Sequence, residues 1–304
     1  MKKSTQGPLI LNSLSDMHRA MNIPEPEHPL VSIVDFKDIP SHSDVLEHGL
    51  VLNVYMIALK KDYKGKVKYG QNFYDFDEGM MSFISPGQIC YENEPGTEPL
   101  DGSMLIFHPD FLRGYAIDKN IKSFDFFSYA LHEALYLSKK EEVMIEGIFK
   151  NIAQEYHSNI DNFSQDVIIS HIELLLNYSN RFYNRQFITR KNVNNDLLTK
   201  LEDVLENHFK DNEISSLPTV KYLADKLNVS STYLSDMLRA HTGQNAQQHI
   251  HNKLIDKAKE ILTTTQLSVS EVAYRLGFEY PQSFSKLFKA KANVSPLEYR
   301  KSFN

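Results

Sequence analysis

Residues 268–300 read SVSEVAYRLGFEYPQSFSKLFKAKANVSPLEYR, and the rest of the chain is organised around this stretch. Val269, Val272, Ala273 and Leu276 recur at helical spacing, Gly277 interrupts, and Phe284, Leu287 and Phe288 resume the period after a short polar turn. The pattern predicts two short helices packed across a tight turn. Ser268 or Ser270 stands where an N-cap accepts a backbone N–H, and Gly277 stands where the first helix leaves the right-handed region. Away from Phe284 and Phe288, the second helix presents Tyr280, Gln282, Ser283, Ser285, Lys286 and Lys289. Those hydrogen-bonding and cationic ends suit a helix that enters a groove of double-stranded DNA.

Residues 220–243 repeat the pattern at a period of about 50 residues. Leu223-Ala224 answers Val272-Ala273 and Leu227 answers Leu276. After a one-residue slip, Leu234-Ser235 and Leu238-Arg239 answer Phe284-Ser285 and Phe288-Lys289. Two helix-turn-helix units are therefore expected. Between them, residues 246–262 keep Ile250, Leu254, Ala258 and Ile261 at helical spacing, a rod of about 25 Å. Such a rod can hold two recognition helices about 34 Å apart, one turn of B-DNA, so that one chain reads an asymmetric site from successive major grooves.

Helix position and side-chain chemistry point to Thr232, Ser235 and Asp236 as base contacts in the first unit, and to Gln282, Ser285 and Lys286 in the second. Gln pairs bidentately with adenine, Lys with guanine O6 and N7, and Asp accepts from cytosine N4. Ser230, Arg239, Ser270, Lys289 and Lys291 are candidate phosphate contacts, and each is equally well a cap or a solvated surface group. Leu223, Leu227, Leu234, Leu238, Leu276, Phe284 and Phe288 belong to the core. Asp236 either specifies cytosine or marks a loosely bound first unit. The charge distribution favours the second reading.

The same residues resemble the signature of the AraC/XylS family of bacterial transcription regulators. The resemblance is carried by Glu271-Val272-Ala273, Leu276-Gly277-Phe278, the run from Phe284 to Phe288, and Val294-Ser295-Pro296 closing in Tyr299-Arg300. Two positions depart from the family pattern. Leu254 stands where a basic residue usually opens the connecting motif, with Lys253 one place earlier. Asn293 stands where Gly usually precedes Val-Ser-Pro, and Asn also tolerates the left-handed conformation. The resemblance implies a DNA-binding regulator whose front domain is a cupin-like barrel, with an appended helix pair that makes the dimer contact.

Composition sets the frame. At 304 residues, with 41% hydrophobic and 24% charged side chains, the chain is long enough for two domains with separate cores. The net charge of −6 is unevenly spread: residues 196–304 hold 14 basic and 13 acidic side chains, against 19 and 26 in residues 1–195. Basic charge is thus shifted toward the DNA-reading end. The single cysteine, Cys90, forms no intrachain disulfide and no metal knuckle, which points to a reducing compartment. Leu9, Ile10 and Leu11 make too short an apolar run for a signal segment, and residues 51–59 and 167–176 are too short to span a membrane. The expected location is the cytoplasm, with no membrane contact.

In the front half, residues 30–39 and 51–59 read as strands. Shorter candidates follow at 66–69, 73–76, 80–85, 88–91 and 102–107, separated by turns rich in Gly and Pro. That rhythm predicts a sandwich or small barrel. The Ile84-Ser85-Pro86-Gly87-Gln88 turn is similar to a cupin turn. Residues 125–138 read as a helical or irregular connection with His132 and Glu133 exposed. A helix over 141–157 follows, with Met144, Ile148, Ile152 and Tyr156 on one stripe. A longer helix over 163–187 carries Val167, Ile168, Ile172, Leu175, Leu176, Ser179 and Tyr183. That pair either packs on its own barrel or, as in the family, joins two chains through residues 141–187. Residues 191–195 read as a polar linker and Asp196 as the cap of a helix striped by Leu197, Leu198, Leu201, Val204, Leu205 and Phe209.

The expected fold class is therefore α+β. Residues 1–190 form a cupin-like β-barrel with an appended helix pair, serving regulation and dimerisation. Residues 191–195 are the linker, and 196–304 are an all-α domain of two helix-turn-helix units joined by a helix.

No catalytic residue, metal or cofactor is expected. His42, Asp44, Glu47 and His48 lack the spacing of a cupin metal set, and no Gly-x-Ser-x-Gly motif, phosphate loop or Cys/His pair occurs. His108-Pro109-Asp110 reads as a turn into a capped short helix. Tyr55, Tyr69, Phe73 and Tyr91 either line a small-molecule pocket or fill a closed core. The expected partners are double-stranded DNA and a second copy of the chain, with RNA polymerase and an unidentified small-molecule effector as further candidates. The rival readings are a cupin-like enzyme or binding protein with a helical appendage, and a scaffold whose C-terminal helices bind protein.

Overall fold

The computed structural model describes the chain except at residues 1–8, 41–49, 62–66, 70–71, 75–78, 91–100, 131, 160, 190, 211–215 and 303–304. Two units result, Met1–Gln186 and Phe187–Asn304. His42, Asp44, Glu47 and His48, and the side chains of Tyr69, Phe73 and Tyr91, lie outside the described residues.

In the first unit the strands are Leu9–Leu11 (β1), Val31–Asp35 (β2), Leu50–Leu52 (β3), Tyr55–Lys61 (β4), Val67–Tyr69 (β5), Asn72–Tyr74 (β6), Met80–Ile84 (β7), Gln88–Cys90 (β8), Asp101–Phe107 (β9) and Leu135–Tyr136 (β10). An antiparallel five-stranded sheet runs in the order β10-β7-β4-β9-β2. A three-stranded sheet runs β1-β3-β8, and β5 pairs with β6. The helices are Leu14–Ala20 (α1), Ala116–Asn120 (α2), Lys139–Tyr156 (α3) and Ser164–Thr189 (α4).

Both faces of the large sheet are buried, which is why its strands read as near-continuous apolar runs. Val34, Ile84, Met104 and Ile106 turn one face toward Leu11, Leu14, Met17 and Leu52 of β1, α1 and β3. The opposite face carries Tyr55, Ile57, Phe83, Leu105 and Phe107, all buried. There Tyr55 stacks on Phe107 at 5.2 Å and meets Phe127 edge-on at 5.1 Å. Phe83 packs on Phe126 at 4.4 Å, and Phe126 stacks on Tyr183 of α4 at 5.5 Å. Of the two alternatives for Tyr55, the structure shows the filled core.

Several expectations are corrected. The strand rhythm predicts a sandwich or small barrel, and the family resemblance a cupin-like barrel, but the described strands close no barrel: they form three sheets, the largest of them open with β10 and β2 at its edges. The β10 edge does not need a further strand because side chains of α4 satisfy it. Gln186, fully buried, accepts from Tyr136 N at 2.8 Å and donates to Ala134 O at 3.2 Å, while Arg185 Nη2 donates to Tyr136 O at 2.7 Å. The run 51–59 is broken at Asn53-Val54 and contributes β3 and β4 to different sheets. Glu133 is buried, not exposed, because its carboxylate accepts from Ala130 N at 2.6 Å within the turn. Met144 lies outside the buried stripe of α3, which is Ile145, Ile148, Phe149, Ile152 and Tyr156. His108 caps the short 3-10 turn Pro109–Leu112 by accepting from Asp110 N at 3.2 Å.

The second unit contains Lys191–Lys210 (α5), Val220–Leu227 (α6), Ser231–Thr242 (α7), Ala246–Thr264 (α8), Val269–Arg275 (α9), Pro281–Ala292 (α10) and Pro296–Lys301 (α11). No strand occurs among its described residues. Residues 191–195, read as a linker, open α5, and Asp196 lies inside that helix instead of capping it. Asn and Asp each cost a helix only about half a kcal/mol, and the buried stripe Leu201, Leu205 and Phe209 outweighs them. α8 packs against α6 and α7 and against α9, α10 and α11, so it is the common spine of both helix pairs. Its buried side is Ala246, Ile250, Leu254, Ile255, Ala258, Ile261 and Leu262. Among the described residues, no helix is long and apolar enough to cross a membrane.

Candidate nucleic-acid interface

The two helix pairs are built by the same local rules. α6 starts at Thr219, whose side chain accepts from Tyr222 N, and ends at Asn228 with φ 56°. α9 starts in a capping box between Ser268 and Glu271 and is followed by Gly277 with φ 86°. Past each stop the chain makes the same closing hydrogen bond, Val229 N to Ala224 O and Phe278 N to Ala273 O, both 3.0 Å. The slip between the repeats falls in the following turn. α7 begins directly after its cap Ser230, whereas α10 begins at Pro281 after the longer Glu279-Tyr280 turn. α7 then stops at Gly243 with φ 76° and α10 at Asn293 with φ 61°. Each stop leads into another capping box, Asn245 with Gln248 and Ser295 with Glu298.

Burial fixes which face of each second helix is available. In α7, Tyr233, Leu234, Met237 and Leu238 are buried. Burial also pushes the Tyr233 hydroxyl pKa up. In α10, Phe284 and Phe288 are fully buried, with ring centroids 5.7 Å apart, and Phe288 meets Tyr299 of α11 at 5.5 Å. Leu223, Leu227 and Leu276 are buried as well.

The structure therefore places Thr232, Ser235, Asp236 and Arg239 on one face of α7, and Gln282, Ser285, Lys286 and Lys289 on the matching face of α10. Gln282, Lys286 and Lys289 are exposed and Ser285 is half-buried. The α7 face is more recessed, with Thr232, Ser235 and Asp236 all half-buried. Asp236 and Arg239 form an ion pair one helical turn apart, Oδ1 to Nη1 2.9 Å, so the first reader presents a compensated pair where the second presents two lysines. The i, i+3 spacing of that pair is visible in the sequence, and it is the signal that identifies it.

The phosphate candidates divide. Ser230 is an N-cap whose side chain accepts from Tyr233 N at 3.2 Å, whereas Ser270 and Lys289 are exposed. Lys291 Nζ donates to Asn252 Oδ1 of α8 at 3.4 Å. Beside it, burial and the Lys291 charge hold the His251 pKa below its ordinary value. Arg300, which closes the signature stretch, donates through Nε to Leu262 O at 3.0 Å and so ties α11 to the C-terminal turn of α8.

Residues 223–302 match the family described as "Helix-turn-helix domain". Over 108 residues the chain is 38% identical to the HTH-type transcriptional activator RhaS of Enterobacter sp. (strain 638), covering 35% of this chain and 37% of that protein. Over 141 residues it is 30% identical to the uncharacterized HTH-type transcriptional regulator YfiF of Bacillus subtilis (strain 168), covering 46% and 42%. A histidine kinase P4 of Formosa agariphila matches at 25% identity over 50% of this chain and 11% of its own length. The chain thus spans less than half the length of these relatives. Among solved structures, the C-terminal domain of the response regulator yesN from Fusobacterium nucleatum is 33% identical, covering 33% of this chain and 96% of that one, with a TM-score of 0.29.

Residues 223–302 of the second unit are a helix-turn-helix domain, and they include the residues that resemble the AraC/XylS signature. The relatives named above as RhaS and YfiF are transcriptional regulators.

Proposed function

We propose that the whole chain is a sequence-specific transcription regulator whose two recognition helices, α7 and α10, read adjacent major grooves of one DNA site. The observation that carries this reading is the repeated polar face, Thr232-Ser235-Asp236-Arg239 on α7 and Gln282-Ser285-Lys286-Lys289 on α10, each set against a buried apolar face of the same helix. The nineteen residues of α8 form a rod of about 28 Å, comparable to the 34 Å turn that separates successive major grooves. α10 supplies the main grip. Its Lys286 and Lys289 add cationic charge, while Asp236 neutralises Arg239 on α7. Gln282, Ser285 and Lys286 contact bases, as do Thr232 and Ser235, and Ser270 and Lys289 contact phosphates.

Full-length protein should bind duplexes enriched from a random library roughly 10³-fold or more tightly than random duplex at physiological salt. Lys286→Ala should relax base preference in one half of the site, by about 1–3 kcal/mol at the position it reads. Lys289→Ala should instead weaken all duplexes alike and reduce the slope of log K against log salt by about one. Equal effects of the two substitutions on every duplex would overturn the assignment.

The first unit would regulate and dimerise, in the cytoplasm. Phe163, just before α4, and Val167 and Leu174 on it, at 68%, 38% and 42% exposure, follow one another at spacings of four and seven residues. Such an uncovered apolar row supports a helix-to-helix contact with a second copy. Leu174→Glu should convert a dimer into a monomer in sedimentation velocity. A sedimentation coefficient unchanged from wild type would place the contact elsewhere.

A further inference from the structure

We infer that Asn252, together with Gln244 and Lys291, is a positioning bridge that sets the phase between the two recognition helices. The inference rests on the reading in which α7 and α10 both enter DNA. It removes Lys291 from the phosphate contacts and gives it a role inside the protein.

Asn252 sits on α8, the helix shared by both pairs. Its Nδ2 donates to Gln244 Oε1 at 2.8 Å, and Gln244 lies in the turn that follows α7. Its Oδ1 accepts from Lys291 Nζ at 3.4 Å, and Lys291 lies in the last turn of α10. One carboxamide thus uses its donor toward the first unit and its acceptor toward the second. Beside the apolar packing of α8, which resists separation but constrains rotation weakly, α7 is tied to that helix by Thr242 Oγ1 and His249 Nε2 at 2.9 Å. A directional polar chain across that packing restricts rotation as well.

The lever arm makes the bridge consequential. α10 has twelve residues and is about 18 Å long, so a rotation of about 10° at its C-terminal end moves its N-terminal end by about 3 Å. That displacement matches one base-pair step of about 3.4 Å. A pivot held at Lys291 therefore decides which spacing between half-sites lets both helices dock at once. His251, the neighbour of Asn252 in the chain, is engaged through Nε2 with Gln247 at 2.9 Å.

The test uses the full chain and duplexes enriched from a random library by wild-type protein, together with the same duplexes carrying one or two base pairs inserted between the half-sites. Wild type should lose roughly tenfold or more on insertion, the scale of a mismatched site. Asn252→Ala and Lys291→Met should bind the parent duplex a few-fold more weakly and discriminate between spacings less than about threefold, with an unchanged salt slope. Lys291→Arg should restore discrimination, because it keeps a donor within reach of Asn252. Lys291→Met changes one exposed side chain, so it retains the fold even if Asn252→Ala loosens α8.

A salt slope lowered by about one in Lys291→Met, with spacing discrimination intact, would return Lys291 to a phosphate and overturn the bridge. Wild-type spacing discrimination in Asn252→Ala would overturn it too. A wild-type protein that ignores spacing altogether would defeat the two-reader proposal itself, and the bridge with it.

Discussion

Phe288→Ala is expected to destabilise the second unit by about 3–5 kcal/mol and to abolish specific DNA binding at 37 °C. Phe288 is fully buried between Phe284 and Tyr299, and it is the residue through which α10 is held to α11 as well as to its own helix pair. Removing the ring leaves a void lined by two aromatic groups that are themselves fixed in α10 and α11, so the site collapses poorly and the cost falls at the upper end of the range. A typical domain is stable by only about 5–15 kcal/mol, and the loss would lower its melting temperature by more than about 10 °C. The neighbouring Lys289→Ala, exposed on the same helix, should change stability by less than about 0.5 kcal/mol while weakening DNA binding. Circular dichroism melts of the two variants, read beside duplex binding, separate a lost scaffold from a lost contact. A Phe288→Ala protein melting within 2–3 °C of wild type would show that the α10 core bears little of the unit's stability.

Gly102→Ala should be equally severe in the first unit. Gly102 has φ 128° and pairs with Lys60 near the end of the ladder between the inner strands β4 and β9. A Cβ there would fall on the Leu59 carbonyl oxygen and stand 3.2 Å from Lys60 Cα, both of them backbone atoms that cannot swing aside. β4 and β9 would have to part at that point, with an expected cost of about 4 kcal/mol or more and a collapse in soluble yield. Gly87 is the control. It also has a positive φ, 83°, but a Cβ would meet no atom within 4 Å. Gly87→Ala should therefore cost only the left-handed penalty of about 1–2 kcal/mol. Equal melting temperatures for the two alanine variants would refute the steric account.

The helices that carry the candidate site were legible because three independent signals agree on them. Val272, Leu276, Phe284 and Phe288 give the period, Ser268 with Glu271 gives the start, and Gly277 and Asn293 give the stops. The first unit was less legible, for reasons specific to its residues. Gln186 holds the β10 edge from α4, about 50 positions away in sequence, and a buried amide serving as a surrogate strand has no local signature. Leu50 to Lys61 is apolar almost throughout, so only Asn53 marks the bend that sends β3 and β4 into separate sheets. α1 carries a local signal as well, weak because the helix is short: Ser13 accepts from Asp16 N, and Leu14 and Met17 then recur three residues apart. In the second unit, the Asp236–Arg239 pair was readable from spacing, but the Gln244–Asn252–Lys291 chain joins three elements and exists only in the folded protein.

The four left-handed stops have a further consequence. The first pair ends its helices with Asn228 and then Gly243, and the second with Gly277 and then Asn293, so the two residue types are exchanged between copies while the backbone handedness is kept. What the duplicated halves share is a sequence of chain reversals more than a set of side chains. An engineer who transplants one reader into the other's position must therefore match two points of chain direction and the extra turn residue before α10. The contact residues between those points can then be rewritten freely.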